Sequence, residues 1–133
     1  MPKKQITQDN LAQALLEAVP ELRPVYDEHM EDNFGDFLGH IFFGDVTRFA
    51  GGLLKKLDGS DSVKAKENLT RLVNFCEEAM GSGDDYVQNV ISLSFIENID
   101  REDFDSIFPL FGPHLRAEWK VKKDWEEKMR VAA

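Results

Sequence analysis

Apolar residues recur every three to four positions along most of this chain, and that spacing is what most limits its fold. The longest such run lies between Asn33 and Asp58 and consists of Phe37, Leu38, Ile41, Phe42, Val46, Phe49, Leu53, Leu54 and Leu57. We predict one long helix here, with a bend near Gly51. The alternative is two shorter helices divided at Gly51 and Gly52, because each glycine costs a helix interior about 1 kcal/mol relative to alanine.

Two helices are predicted before this run and one directly after it. The apolar stripe of the first consists of Leu11, Ala14, Leu15 and Ala18. Thr7 is its candidate cap, and a short second helix follows from Pro24 to Glu31. After the long run, Val63 to Met80 reads as an amphipathic helix, with Gly81 as the left-handed residue that ends it.

The segment from Tyr86 to Ile99 has two interpretations. Its centre alternates apolar and polar residues as a strand does, but its length of about 13 residues favours a buried helix. We predict a helix. A short helix then starts at Asp100 and ends near Pro109, and the last helix runs from Pro113 to about Arg130.

About six helices joined by short turns predict an all-α fold, and the absence of any linker-like tract predicts one domain over residues 1–133. Short connections place successive helices side by side. The architecture we favour is therefore a small α-α superhelix of stacked helix pairs, and an irregular helical bundle is the alternative.

Charge and cysteine content narrow the functional classes. The net charge is −9, from 25 acidic and 16 basic residues, which argues against nucleic-acid binding because phosphate contacts need clustered Lys and Arg. Cys76 is the single cysteine, so no intramolecular disulfide can form, and this usage fits a reducing cytoplasm. No apolar run approaches the roughly 20 residues that span a membrane. We expect a cytoplasmic protein without a membrane partner.

Residues suited to catalysis are sparse. Asp36, His40 and Asp45 are close in sequence, and a carboxylate four residues before a histidine can share its helix face, so a small metal-dependent or acid–base enzyme is one hypothesis. Against it, no metal-ligand motif and no phosphate-binding glycine loop is present. Cys76 lies on a predicted apolar face beside two glutamates, which favours a buried, inert thiol. We therefore expect no cofactor, no metal and no catalytic residues.

Acidic residues are concentrated near helix ends. The candidate partner-binding residues are Asp27, Glu28, Glu31, Asp32, Asp100, Glu102, Asp103 and Asp105. If the two groups converge in space, they form a negative surface that would steer a basic partner. The alternative is a set of separate, solvated helix ends, where acidic side chains are favourable in any case.

Several stretches together resemble a known family. They are residues 19–22 with Tyr26 and His29, residues 37–49, residues 90–98, and Gly112, Pro113 and Trp119. They resemble a family of small uncharacterised bacterial proteins that is similar in fold to armadillo/HEAT-type α-superhelices. The resemblance implies an α-superhelical fold and a bacterial source, and it brings no catalytic residues. Small acidic proteins of this kind also look like immunity partners in bacterial toxin systems.

The leading functional hypothesis is a cytoplasmic protein–protein interaction module, in a more specific form an immunity- or antitoxin-like protein. Its negative charge and missing catalytic motifs favour an unidentified protein partner, basic in character. The enzyme around Asp36, His40 and Asp45 is the alternative. The chain is expected to be a monomer, or a homodimer formed through the last helix, which carries both tryptophans.

Overall fold

The computed structural model describes residues 5–132, with side chains up to residue 130, and within this range it is built of helices without any strand. The α-helices are α1 (Leu11–Ala18), α2 (Arg23–Asp32), α3 (Gly39–Lys55), α4 (Ser62–Ser82), α5 (Asp85–Val90), α6 (Arg101–Ile107) and α7 (Pro113–Ala132). Two 3₁₀ turns, Pro20–Leu22 and Phe108–Leu110, precede α2 and follow α6, and a π-helix, Ile91–Ile96, continues α5. The all-α prediction is confirmed, with seven α-helices in the described range against about six predicted.

The helices are grouped around α4, which packs against α1, α3, α5 and α7. Its buried side chains follow helical spacing and are Ala65, Leu69, Leu72, Val73, Phe75, Cys76 and Ala79. Apolar side chains from every other α-helix except α2 join them in one buried cluster. The core is therefore filled by aliphatic and aromatic side chains of the chain itself. The likeness to armadillo/HEAT superhelices stays a prediction.

The long apolar segment is a single helix, but a shorter one than predicted. α3 starts at Gly39, not at Asn33, and runs through Gly51 and Gly52 without interruption to Lys55. Its late start follows from Phe34, which has a positive φ of 56° and breaks the helical path. Gly51 and Gly52 stay helical because apolar side chains of α3 are buried both before and after them. The free energy gained by this burial outweighs the low helix propensity of glycine.

Two predicted helix ends are wrong. Gly81 does not terminate α4; it stays helical, and the His114 ring covers it so closely that an added Cβ would lie 2.6 Å from that ring. The helix ends at Ser82 instead. Thr7 does not cap α1; its backbone N–H donates to Oδ1 of Asn10 at 2.7 Å, in a turn that precedes the helix.

The segment from Tyr86 to Ile99 is helical through residue 96, as predicted. Asp84 caps it by accepting the backbone N–H of Val87 at 2.9 Å. In the π-helix, the Ser94 carbonyl accepts hydrogen bonds from two side chains. The donors are the Thr47 hydroxyl at 3.1 Å and the Asn98 amide at 2.9 Å. Contacts with α3, α4 and α7 bury this segment on several sides. Apolar residues are therefore needed on more than one face of the helix, and this produces the alternation that resembles a strand.

The first turn of α7 is bonded to α4, whereas the last turns of α7 extend away from the core. Glu77 of α4 accepts the backbone N–H groups of His114 and Leu115, both at 2.9 Å, and so satisfies two of the free donors at the start of α7. Trp119 then stacks on Phe104 at a ring-centroid distance of 5.4 Å. Every residue from 123 to 130 is exposed, so the second half of α7 extends beyond the core.

Candidate interaction surface

The residues of the enzyme hypothesis have separate partners. Nδ1 of His40 lies 2.8 Å from the hydroxyl of Ser94, and Asp45 forms an ion pair with Arg48 on the same helix. Asp36 is exposed in the loop before α3. Within residues 5–132, no group of three or more His, Cys, Asp or Glu side chains is placed to hold a metal ion.

The His40–Ser94 contact has the composition of a base–nucleophile pair, but its setting is structural. Ser94 is only 6% exposed, and its own carbonyl is held by two side chains in the π-helix. A nucleophile must be reached by a substrate carbonyl, and the base needs a third group to orient it. The contact therefore serves to fasten α3 to the π-helix.

Cys76 is wholly buried on α4, as expected for an inert thiol. Burial raises the pKa of this thiol above its ordinary value, because the apolar surroundings disfavour the charged thiolate. The thiolate is the reactive form, so Cys76 is not a nucleophile in the folded chain.

The two acidic groups lie on different sides of α3. The helix that carries the first group, α2, contacts Phe42 of α3 through His29, with the two ring centroids 5.3 Å apart. The α6 group adjoins Gly51, where an added Cβ would lie 3.3 Å from Oδ2 of Asp103. Phe42 and Gly51 are nine residues apart, or two and a half helical turns, and so occupy opposite faces. The acidic residues form two separate surfaces.

Phe34, which sequence patterns did not single out, is the most exposed large apolar side chain that the structure describes. It is 96% exposed and occupies the left-handed region with a φ of 56°. It is the C′ residue of a Schellman motif, in which the backbone N–H of Gly35 donates to the carbonyl of Met30 at 2.8 Å. Glycine is preferred at such a position, since a side chain there is strained.

His29 fixes the loop that carries Phe34. Its Nε2 accepts the backbone N–H of Leu38 at 3.0 Å, and its ring packs edge-on against Phe37. Asn33 donates from its side-chain amide to the His29 carbonyl at 2.8 Å. His29 is itself buried, so this short loop is held by an internal hydrogen-bonded group and not by Phe34.

Two more exposed apolar residues follow Phe34 in the sequence, at the start of α3. Leu38 and Ile41 are both exposed, and their three-residue spacing puts them on one side of the first turn. The exposed carboxylates of α2 precede them. We call this region the acidic-apolar surface; it consists of Asp27, Glu28, Glu31, Asp32, Phe34, Leu38 and Ile41. The sequence signal that would have found it is a phenylalanine directly before a glycine at the end of an acidic helix.

A second set of exposed apolar residues begins in the middle of α7 and continues into its projecting half. Val121, Trp125 and Met129 follow one another at four-residue intervals and are all more than half exposed. Met129 lies fourteen residues, or nearly four turns, after the buried Leu115 and so shares its side of the helix. Of the three residues, Met129 therefore lies nearest to the side of α7 that packs on the core.

The fold and these surfaces define an all-helical chain with a closed core and an exposed acidic-apolar surface. The chain belongs to the family described as a domain of unknown function (DUF7674), whose model matches residues 12–126. No curated protein matches the chain, and no solved structure does. In the part of the chain that the structure describes, no helix is both long and apolar enough to cross a membrane.

Proposed function

We propose that this chain is a non-catalytic protein-interaction module that binds a basic partner through the acidic-apolar surface. The observation that carries the proposal is Phe34, a fully exposed phenylalanine held in a strained conformation beside an acidic helix. Backbone strain of this kind is concentrated at functional sites, where the surrounding contacts hold the strained conformation in place. Here the surrounding structure is the hydrogen-bonded group around His29.

The surface has two components with different tasks. Phe34, Leu38 and Ile41 supply apolar area, and burying one such side chain against a partner is worth about 1.5–3 kcal/mol. Exposed aromatic anchors of this kind dominate the affinity of many interfaces. The α2 carboxylates supply the charge that accelerates encounter with a basic protein and disfavours acidic ones. The partner we propose therefore presents an apolar pocket with lysine or arginine around it.

The experiment is affinity capture from the native host with a set of matched variants. Phe34→Gly removes the anchor and relieves the backbone strain, so it should abolish capture of a basic partner while the melting temperature stays equal or rises. Glu28→Lys combined with Glu31→Lys should also abolish capture. Val63→Ser, at an exposed valine on α4, should leave it unchanged. A partner retained by both surface variants would refute the proposal.

The specific form we propose is an immunity- or antitoxin-like protein acting in a bacterial cytoplasm. Its support is the acidic composition, the single cysteine and the resemblance to small bacterial proteins. If it is right, the captured partner arrests growth when expressed alone, and co-expression of this chain restores growth. If the captured partner does not arrest growth when expressed alone, the immunity proposal is wrong, whereas the proposed interaction is still supported.

The enzyme hypothesis around Asp36, His40 and Asp45 remains the alternative. The feature in its favour is the exposure of His40, which leaves its imidazole able to exchange a proton with a substrate. His40→Ala provides its test, because an enzyme that depends on this base would lose its turnover with a panel of ester and phosphoester substrates. Partner capture by the same variant should be unchanged under our proposal.

A further inference from the structure

The three exposed apolar side chains of α7 form one continuous patch. Val121, Trp125 and Met129 are four residues apart, so they occupy successive turns and lie within about 80° of one another around the helix axis. Each of them is more than half exposed. Single exposed apolar residues are common, but a group of large ones on one face is typical of an interaction surface. We call these three residues the α7 patch.

Charged residues of both signs border the α7 patch. Helical geometry puts Asp124 and Lys128 on one border, about 60–100° from Trp125, and Lys122 and Glu126 on the other. Each border thus carries one acid and one base, four residues apart. Within residues 5–130, Asp124 and Lys128 are exposed and have no ion-pair partner. An apolar face with both charges on each border is complementary to a second copy of itself.

We propose that the α7 patches of two copies of this chain pair in antiparallel orientation about a two-fold axis at Trp125. The two Trp125 side chains then pack on each other, and Val121 of each copy packs on Met129 of the other. Lys128 of each copy pairs with Asp124 of the other. Because the same residues supply both halves of this contact, the assembly closes at two copies.

Two features favour the antiparallel orientation over the parallel one. The dipoles of two neighbouring helices attract each other when the helices are antiparallel and repel when they are parallel. The early turns of α7 are also joined to the core, where Leu115 is buried and Glu118 accepts the Ser92 hydroxyl at 2.8 Å. Parallel pairing would bring the two cores together at one end, whereas antiparallel pairing puts them at opposite ends.

The contact is small, and its size sets the expected affinity. The α7 patch covers roughly two and a half helical turns in each copy. The area buried by two such patches lies below the roughly 1,200 Å² at which standard stable interfaces begin. We therefore expect a dissociation constant on the order of 10–100 µM, which is typical of a reversible dimer. No residue of the acidic-apolar surface takes part, so the dimer is independent of the proposed function.

Sedimentation velocity of the full chain, from about 10 µM to about 1 mM, tests the pairing. The sedimentation coefficient should rise over this range from that of a monomer towards that of a dimer. Trp125→Ser should weaken the dimer at least tenfold. Lys128→Asp should weaken it several-fold, because it places like charges together, and adding Asp124→Lys to Lys128→Asp should restore the parent affinity. A chain that stays monomeric at 1 mM, or a dimer that Trp125→Ser leaves unchanged, would overturn the proposal.

Disulfide trapping tests the orientation. Because Cys76 is buried, a cysteine introduced on α7 is the reactive thiol of its variant. Val121→Cys mixed with Met129→Cys should give a covalent dimer that contains one of each, and neither variant should form one alone. Self-linked dimers of each variant would reveal parallel pairing and refute the antiparallel arrangement. Lys123→Cys mixed with Glu127→Cys, on the opposite side of α7, is the matched control and should remain unlinked.

A last variant separates this dimer from a head-to-tail contact. In such a contact, the basic residues of α7 in one copy would bind the acidic-apolar surface of the next. Glu28→Lys combined with Glu31→Lys should therefore dimerise as the parent chain does. Loss of the dimer in this double variant would show that the acidic-apolar surface is the occupant of the α7 patch and would overturn the two-fold pairing.

Discussion

Nε2 of His29 accepts the backbone N–H of Leu38 at 3.0 Å, and this one contact joins the end of α2 to the start of α3. Leu38 is the residue before α3, where the backbone N–H groups have no partner inside the helix. A side chain from the preceding helix thus accepts the N–H of the N-cap residue, the group that the glutamate of a capping box usually accepts. The acidic-apolar surface depends on it, because Phe34 lies in the loop between the two residues.

Replacing His29 by alanine should therefore destabilise the chain by about 2–4 kcal/mol. The loss combines an unsatisfied Leu38 N–H with a cavity beside Phe37 and Phe42. Urea denaturation followed by circular dichroism measures it. Glu28→Ala, at an exposed site on the same helix, should change stability by less than about 0.5 kcal/mol. Equal effects of the two substitutions would mean that His29 does not hold the loop.

Phe34→Gly should leave the free energy of unfolding unchanged or raise it by up to about 1 kcal/mol. Relief of a left-handed conformation at a non-glycine residue is worth roughly 1–2 kcal/mol, and the greater unfolded-state freedom of glycine offsets about half of that. No packing is lost, since the ring is exposed. A loss of more than about 1 kcal/mol in the same denaturation assay would show that Phe34 packs within its own chain.

Glu77→Ala should cost about 1–2 kcal/mol, because it removes the acceptor for two backbone N–H groups at the start of α7. Its carboxyl group also lies against Gly112, where an added Cβ would be 2.5 Å from Cδ. Hydrogen exchange in the first turn of α7 should accelerate in this variant. Glu67→Ala, which removes an exposed ion pair with Arg71, is the control and should have little effect. Equal exchange rates in both variants would contradict the assignment.

The two tryptophans should respond differently to substitution. Trp119 contacts Phe104 and Phe108 in an aromatic cluster, so Trp119→Ser should destabilise the chain by about 2–4 kcal/mol. Trp125 is 62% exposed on the projecting half of α7, and Trp125→Ser should cost less than about 0.5 kcal/mol. Sedimentation of both variants shows whether Trp125 also mediates a homodimer. A large stability loss for Trp125→Ser in the monomer would contradict the projecting arrangement.

Cys76 should react with thiol reagents only when the chain unfolds. In the unfolded chain the thiol ionises near its ordinary pKa of 9.0. In the folded chain the pKa is raised, so the thiol stays neutral at pH values above 9.0. The contribution of Cys76 to stability is therefore complete below about pH 9 and is lost as the pH rises above it. Comparison with Cys76→Ala isolates this slope. Rapid labelling of the native chain at neutral pH would disprove the burial.

Helical spacing, together with proline positions, capping residues and segment length, predicted the all-α fold and the approximate position of each helix. It succeeded because each helix buries one apolar side, and the repeat of such a side can be read from the sequence. The ends were less predictable. Gly81 stays helical because the His114 ring, 33 residues later, packs on it, and no local signal reports that contact.

The candidate site was predictable in part. The acidic residues of α2 were predicted as partner-binding residues and are exposed, but their separation from those of α6 depends on which faces of α3 each helix contacts. Phe34 was missed because it lies outside the helical spacing of the apolar run, and periodicity does not report the exposure of a single residue between two helices.

Hydrogen–deuterium exchange of the chain with and without its captured partner shows whether the partner binds at the acidic-apolar surface. Protection on binding should be confined to the end of α2, the loop through Phe34 and the first turn of α3. Protection restricted to the second half of α7, or to the second acidic group on α6, would contradict it.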